Sequence, residues 1–508
     1  MSETGRVFII GAGPGDAGLI TARGARLLAE ADVVVYDRAT EPALRWARPE
    51  AERIAAGAPA ESDTAQDAIS MLLAEKARDG HRVARLKWGD AFVFDSGGKE
   101  ALFLHEQGVA FEVVPGVPLA IGATAYAGVP LSYPGAGDAI VLIRGYEDEN
   151  DSMPDVDWAS VAKLDGTTVC YAGARQVSRI LQHLLDHGRS ADTAASIIYN
   201  GTQASQRTVT GSIGELAAVT ESDTGNPPAI LVIGKVNGLR EHLRWFDERP
   251  LFGRRIVVTR SKEQARELVD SLEALGAEAI EAPTFRLAPP EDPEAVERAA
   301  ASVDQYRWVV FESANSVTRF LSAQQRGPRD LRAFGPVSIC AMGPSTADEL
   351  ARYGLKADLV VPEHGDESLG DRLAARGPLE GQRVLIVRPD HQHDALTDAL
   401  RRHGASITDL VAYRTTAATP ESPAVQDLYR LMLEGRIDAV TFTSPTAVSR
   451  LAKLLGKEQA ADLLNTTVVA AVGPVTAAAA RALGIHTPIV AERFTIDGLV
   501  EAIVEHFK

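Results

Sequence analysis

Cysteine is nearly absent: 508 residues carry only Cys170 and Cys340. The two form neither a CxxC pair nor a metal-ligand spacing. Each sits in an apolar strand-like run, so both are expected as buried core thiols. Long hydrophobic runs are missing as well. No stretch approaches the ~20 apolar residues of a membrane span, and the longest candidate, 468–485, is broken by Gly473, Pro474 and Arg481. The opening MSETGRVFII has one Arg followed directly by a β-like run, which is not the pattern of a signal peptide. Positive charge is in deficit, with 52 Lys and Arg against 69 Asp and Glu and a formal charge of −17. Such a chain is a poor general binder of nucleic acid, whose phosphates reward clustered positive charge. It can hold an anion only by concentrating Arg and backbone N–H groups locally. The expectation is a soluble cytoplasmic protein with no nucleic-acid or membrane partner.

The composition, 45% hydrophobic and 24% charged, is that of a globular protein. At ~150 residues per domain the length implies about three domains. Val/Ile-rich runs at Val7–Ile10, Asp32–Tyr36, Val83–Leu86, Phe111–Val114, Ile140–Ile143, Val169–Tyr171 and Ile230–Ile233 read as buried strands. Between several of them lie segments with helical spacing, such as Thr21–Glu30, Gln66–Arg78 and Arg175–His187. The alternation predicts α/β architecture with largely parallel sheets. A Trp/Phe/Pro/Gly-bearing segment, 238–255, precedes a fresh strand and places the main boundary near 250.

The second half repeats itself. Phe311–Phe320 (FESANSVTRF) returns as Phe442–Leu451 (FTSPTAVSRL), and Ala341–Ala347 (AMGPSTA) returns as Ala471–Ala477 (AVGPVTA). The offsets are 131 and 130 residues. This is too long for a solenoid and predicts two similar α/β lobes whose equivalent loops line a shared cleft.

The chemistry sits in loops. Gly11–Asp16 (GAGPGD) joins a strand to a helix, and its glycines let backbone N–H groups approach a ligand. It departs from the dinucleotide pattern because Asp16 stands where the third glycine belongs. Asp37 ends the second strand, where open α/β sheets bind ligands. Arg85–Asp90 (RLKWGD), Val114–Val117 (VPGV), Tyr199–Thr202 (YNGT) and Gln206-Arg207 add further polar strand ends. Over roughly residues 5 to 246 these motifs, in order, resemble the S-adenosylmethionine-dependent tetrapyrrole methylases, specifically uroporphyrinogen-III C-methyltransferase. The resemblance implies two α/β subdomains with the methyl donor between them, and methylation of two ring carbons of uroporphyrinogen III toward sirohaem and cobalamin. It implies donor contacts at Gly13, Pro14, Gly89, Asp90, Val93, Ala172 and Gly201, and Asp37 as proton acceptor. The chain also departs from that family: Trp88 replaces a glycine, Ala91 a proline, Pro118-Leu119 a Thr-Ala pair and Ala172 a methionine. Ala58 stands where the family has a proton-donating Lys, and Arg144-Gly145-Tyr146 where it has Thr-Gly-His.

From about Arg254 to Phe507 the chain resembles uroporphyrinogen-III synthase. The resemblance rests on Val257–Arg260 (VVTR), Phe311–Asn315 (FESAN), Gly343–Thr346 (GPST), Ala412–Thr415 (AYRT), Thr441–Pro445 (TFTSP) and Gly473–Thr476 (GPVT). It implies cyclisation of hydroxymethylbilane with inversion of the last ring, without cofactor. Tyr413 then corresponds to the tyrosine that donates to the leaving hydroxyl. Thr346 and Thr476 take equivalent catalytic loops, and Arg260, Ser313, Asn315 and Ser444 bind substrate carboxylates. Glu312 stands where the family usually has Thr, and its simplest placement beside an anionic substrate is toward solvent. His391 and His393, next to Asp390 and Asp394, read as solvated polar residues with no third metal ligand nearby.

The expected organisation is a methylase-like domain over 1–248 and a synthase domain over 249–508, with lobes at about 254–285 plus 414–508 and at 286–413. The expected partners are small-molecule tetrapyrroles, with a homodimer implied through the methylase half. One alternative keeps the synthase and makes the first domain inert. Another reads the second half as a periplasmic-type binding protein, against which the lack of an export signal speaks.

Overall fold

In the computed structural model, residues 5–56, 63–145, 155–219, 228–260, 262–282, 285–361, 369–390, 394–417, 419, 422–486 and 488–508 are described. Ala58, Tyr146, His391 and His393 lie outside them. The chain forms two compact units, one of Met1–Ile256 with Asp270–Ala279 and Ile503–Lys508, the other of Val257–Val269 with Ile280–Ala502. The split segments have a local cause. Leu251 N donates to Leu275 O at 3.0 Å and Glu278 N to Arg254 O at 2.8 Å, and the Arg254 guanidinium lies over the Phe507 ring.

The first unit carries two five-stranded sheets. Strands β1 Arg6–Gly11, β2 Val33–Tyr36, β3 Glu52–Ala55, β4 Arg82–Lys87 and β5 Phe111–Val114 form a parallel sheet of order β3-β2-β4-β1-β5. Its three inner strands, β2, β4 and β1, are almost fully buried because both faces are covered, which is what their Val/Ile runs require, whereas the edge strands β3 and β5 are partly exposed. The second sheet, of β6 Ala139–Arg144, β7 Gly166–Gly173, β8 Ala194–Tyr199, β9 Arg207–Ser212 and β10 Pro228–Ile233, corrects the expectation of parallel sheets. Only β6 and β7 run parallel, whereas β7-β10, β10-β8 and β8-β9 are antiparallel. The seven-residue connection between β8 and β9, 200–206, permits nothing else for that pair, since a parallel return needs a crossover of a dozen residues or more.

The second half carries the other two sheets. Strands β11 Arg255–Val258, β12 Glu278–Glu281, β13 Phe285–Ala288, β14 Trp308–Phe311, β15 Ser338–Met342, β16 Leu359–Val361, β17 Arg383–Pro389, β18 Ser406–Ala417, β19 Ala439–Phe442, β20 Val468–Ala471 and β21 Ile489–Val490 sort into orders β12-β11-β19-β20-β21 and β13-β18-β17-β14-β15-β16. The sequence repeat is structural: β14 and β15 recur as β19 and β20, each followed by a helix. The side chains of Ser313 and Ser444 cap equivalent helices, accepting from Ser316 N and Ala447 N at 3.2 Å each. Between strands, Thr259 Oγ1 donates to Thr441 O and Thr441 Oγ1 to Val257 O, at 2.8 and 2.9 Å. These bonds lock β11 against β19 without burying an unpaired hydroxyl.

In the first sheet the loops after β1, β4 and β5 meet backbone to backbone. A Cβ on Gly116 would lie 2.1 Å from Gly89 O and 2.7 Å from Gly11 Cα. Overpacking here has no side chain to displace, so Gly116→Ala is expected to cost about 1–3 kcal/mol. A thermal melt of the full chain checks this, and an unchanged midpoint would count against the contact.

Candidate functional sites

The loop after β1 is tied to the loop after β4. Gly89 N donates to Gly13 O at 2.8 Å and Gly13 N to Gly89 O at 3.2 Å, with Gly13 at φ 86° and Gly89 at φ 69°. Those left-handed conformations are what the two glycines supply. Pro14 is buried against Gly122, where an added Cβ would come within 2.4 Å of the proline ring. Asp90 is engaged on both oxygens, accepting from Phe92 N and Gly116 N at 2.9 Å each. Asp16, the residue in the third glycine's place, accepts from Gly18 N and from the Tyr126 hydroxyl at 2.7 Å each. Its own N–H donates to Thr202 Oγ1 at 3.0 Å, which fastens the β1 loop to the turn around Gly201.

These loops offer side-chain-free backbone of the kind a methyl donor would need. Two of the substituted residues narrow it. The Trp88 indole N–H donates to Pro14 O at 3.0 Å, and the Leu119 side chain fills the space a Cβ on Gly89 would take, 2.8 Å away. Trp88, Val93 and Phe94 pack beside Leu119 and Tyr171, and the Phe94 and Tyr171 rings meet edge to face at 5.1 Å. Ala172 points the other way, into the core with Val177 and Ile180. The backbone of these loops fits the donor, and the Trp88 and Leu119 side chains are drawn in beside it.

Asp37 stands just beyond β2 and belongs to a buried charge network. Arg85 Nη1 lies 2.9 Å from its Oδ1, and Lys87 Nζ 3.8 Å from its Oδ2. The same cations reach Glu100, from Arg85 Nε at 3.2 Å and Lys87 at 3.3 Å, while Lys87 also pairs with Asp95 at 2.7 Å. Burial alone would raise Glu100, but Arg85 and Lys87 outweigh it and hold the carboxyl below its ordinary range. Sequence reasoning missed the network. Its signal was Arg85 and Lys87 two apart on one face of a strand, beside the strand that ends at Asp37.

In the second half, Tyr413 and Ser313 meet at 3.1 Å between hydroxyl oxygens. Burial pushes the tyrosine up, and hydrogen bonds with Ser313 and Asn315 oppose it. The hydroxyl therefore stays protonated, a hydrogen-bond donor at neutral pH. Arg450, on the helix Pro445–Leu455, lies within electrostatic reach of Tyr413. It too was missed, although the repeat marks it as the counterpart of Arg319. Arg260 follows β11 with its Nε buried and without a hydrogen bond among the described residues, and burial lowers its pKa. Ser444 is half-buried at its helix cap. Thr346 and Thr476 lie apart from any open surface, at 1% and 4% exposure. The Thr346 hydroxyl donates to Met342 O at 2.7 Å, within its own helix turn. Glu312 corrects the expectation of a solvent-facing carboxylate: its Oε1 is buried. Both cysteines are buried, which pushes each thiol up to about 12. Among the described residues no cluster of His, Cys, Asp and Glu can hold a metal, and no helix is long and apolar enough to cross a membrane.

Two family profiles match the chain. Tetrapyrrole (Corrin/Porphyrin) Methylases covers residues 6–217, and Uroporphyrinogen-III synthase HemD covers residues 266–501. The chain is 33% identical over 505 residues to the porphyrin biosynthesis protein HemD of Ruminiclostridium josui, covering 99% of this chain and 98% of that one. It is 33% identical over 363 residues to the uroporphyrinogen-III C-methyltransferase of Bacillus subtilis, covering 71% and 74%. Among solved structures it is similar to a uroporphyrin-III C-methyl transferase from Thermus thermophilus complexed with S-adenosyl homocysteine. That match has 35% identity and a TM-score of 0.40, and covers 46% of this chain and 98% of that one.

If Trp88 and Leu119 narrow the donor's ground, Trp88→Gly is expected to tighten S-adenosylhomocysteine binding to the full chain by about tenfold, roughly 1.4 kcal/mol. Titration calorimetry reads this, and equal affinity would mean the indole is not in the way.

Proposed function

The chain belongs to the family of tetrapyrrole-biosynthesis proteins that join a methylase domain to a uroporphyrinogen-III synthase domain, and from that membership we propose which residues carry each half. It is an enzyme with a C-methyltransferase domain and a synthase domain. We place their boundary at 248/249 and the synthase lobes at about 254–285 plus 414–508 and at 286–413.

The observation that carries the synthase assignment of residues is the Tyr413–Ser313 pair, which joins β18 to the loop after β14. Hydroxymethylbilane is a flexible polyanion that must lose a hydroxyl and close on the inverted last ring. Tyr413 donates to the departing hydroxyl oxygen. The N-termini of the helices after β14, β15, β19 and β20 favour carboxylates, with Ser313, Asn315, Ser444, Arg260 and Arg450 supplying hydrogen bonds and charge. Thr346 and Thr476 shape their helix starts from beneath. Holding the reacting atoms in one geometry can contribute several kcal/mol, and here it also selects the isomer.

In the methylase half we propose S-adenosylmethionine as donor, held by the Gly13-Pro14 and Gly89-Asp90 loops with Val93 and the backbone at Ala172 and Gly201. The donor supplies an electrophilic methyl group. Asp37 takes the proton that the methylated ring carbon must lose, and Arg85 and Lys87 position its carboxylate. A second reading, an inert first domain, is favoured by Trp88 and Leu119 lying across the donor loops. We place the protein in the cytoplasm as a homodimer through the methylase half, acting on small tetrapyrroles and not on nucleic acid or membrane. Its acidity supports the last point.

The test is to feed the purified chain fresh hydroxymethylbilane with and without S-adenosylmethionine, separating isomers and weighing products. Type III product that gains methyl mass only with the donor is the expected result. Type III product that never gains mass selects the inert-domain reading, and type I product alone contradicts the synthase residues.

A further inference from the structure

We propose that Glu312 is the proton carrier of ring closure, its carboxyl giving a proton to the hydroxyl that leaves hydroxymethylbilane and taking one back when the product's last ring regains aromaticity. The inference rests on the synthase reading above.

The fold puts Glu312 where a ligand belongs. In the sheet β13-β18-β17-β14-β15-β16, the chain leaves β14 for β15 and β16 on one side and returns to β17 and β18 on the other. The strand order thus reverses between β14 and β17, and such reversals open the ligand crevice at the carboxyl ends of the strands. Glu312 is the first residue beyond β14. Its N–H donates to Val387 O at 3.1 Å, which fixes it at the lip of that crevice. The next residue, Ser313, touches Tyr413.

The carboxyl itself is unfinished. Oε1 is buried and has no hydrogen-bond partner among the described residues, a costly state for a buried acceptor unless a ligand completes it. Five titratable or charged groups face it or its neighbour Tyr413: Arg388 on β17, Asp409 on β18, Tyr413 itself, Asp390 just after β17 and Arg450 on the helix Pro445–Leu455. Arg388 bonds Asp409, so this cation facing Glu312 is shared with a second carboxylate. Burial outweighs Arg388 and pushes the Glu312 carboxyl up to about 7. A neutral carboxyl also removes the conflict of an acid beside a polyanionic substrate.

The chemistry balances without a co-reactant. The C–O bond breaks as the pyrrole nitrogen's electron pair forms the exocyclic double bond, and the Glu312 proton leaves with the oxygen as water. After the spiro rearrangement a ring carbon gives up its proton to the Glu312 carboxylate. Water is lost, and the residue ends as it began. A pKa near the working pH suits a group that must do both. Tyr413, held protonated, orients the leaving oxygen but is too weak an acid for the transfer.

Type III product formed by the full chain is followed on either side of neutrality for the wild type, Glu312→Gln and Glu312→Asp. Wild-type kcat/KM is expected to fall as pH rises through about 7. Glu312→Gln should lower kcat by about 10²-fold or more and lose that limb, with KM and circular dichroism unchanged, while Glu312→Asp regains part of both. A Gln variant that keeps its rate or its pH limb would overturn the proposal. A wild type that makes no type III product would instead sink the synthase reading beneath it.

Discussion

The reversal of strand order in a parallel sheet is the constraint on which the rest of the synthase half depends. Where neighbouring strands send their connections in opposite directions, the chain cannot cover the carboxyl ends between them. This happens between β14 and β17, and again between β11 and β19. The residues singled out chemically stand at those two places: Glu312 and Ser313 at the first, Arg260 and Ser444 at the second. Tyr413 reaches the first from β18, and Arg450 brings a cation toward it from the helix after β19. Helix N-termini at equivalent loops add partial positive charge. A chain with formal charge −17 can in this way hold an anion without a basic surface.

The methylase half uses the opposite device. Backbone meets backbone so closely at Gly11 and Gly116 that no Cβ is tolerated, and behind this the set Asp37, Arg85, Lys87, Glu100 and Asp95 fixes charges in place. Losing one member would leave another charge buried and uncompensated. This is a rigid construction, and it makes the Trp88 indole on Pro14 O more telling. The frame is intact while the donor's ground is narrowed.

Much of this was legible from residues alone. The Val/Ile runs placed their strands to within three residues at either end, because buried strands leave little room for polar residues, while Glu52–Ala55, Ala194–Tyr199 and Arg207–Ser212 went unread. The repeat of Phe311–Phe320 at Phe442–Leu451 located two equivalent crevices and, read one step further, would have named Arg450. Other features were not legible. Whether a Thr after Gly-Pro faces a cleft or its own helix turn depends on the roll of the helix, and Thr346 turned inward. The direction of β9 against β8 depends on a seven-residue connection that sequence period does not reveal. Glu312 looked like a surface residue because its neighbours across the sheet, Arg388 and Asp409, lie some 75 to 100 positions away in sequence.

The Tyr413 hydroxyl, held beside Ser313 after β14, is the group on which the leaving-group chemistry turns. Single-turnover closure of hydroxymethylbilane by Tyr413→Phe in the full chain tests it most directly. Type III closure is expected to slow by about 10²-fold, with substrate affinity and fold retained. Closure at the wild-type rate would contradict it.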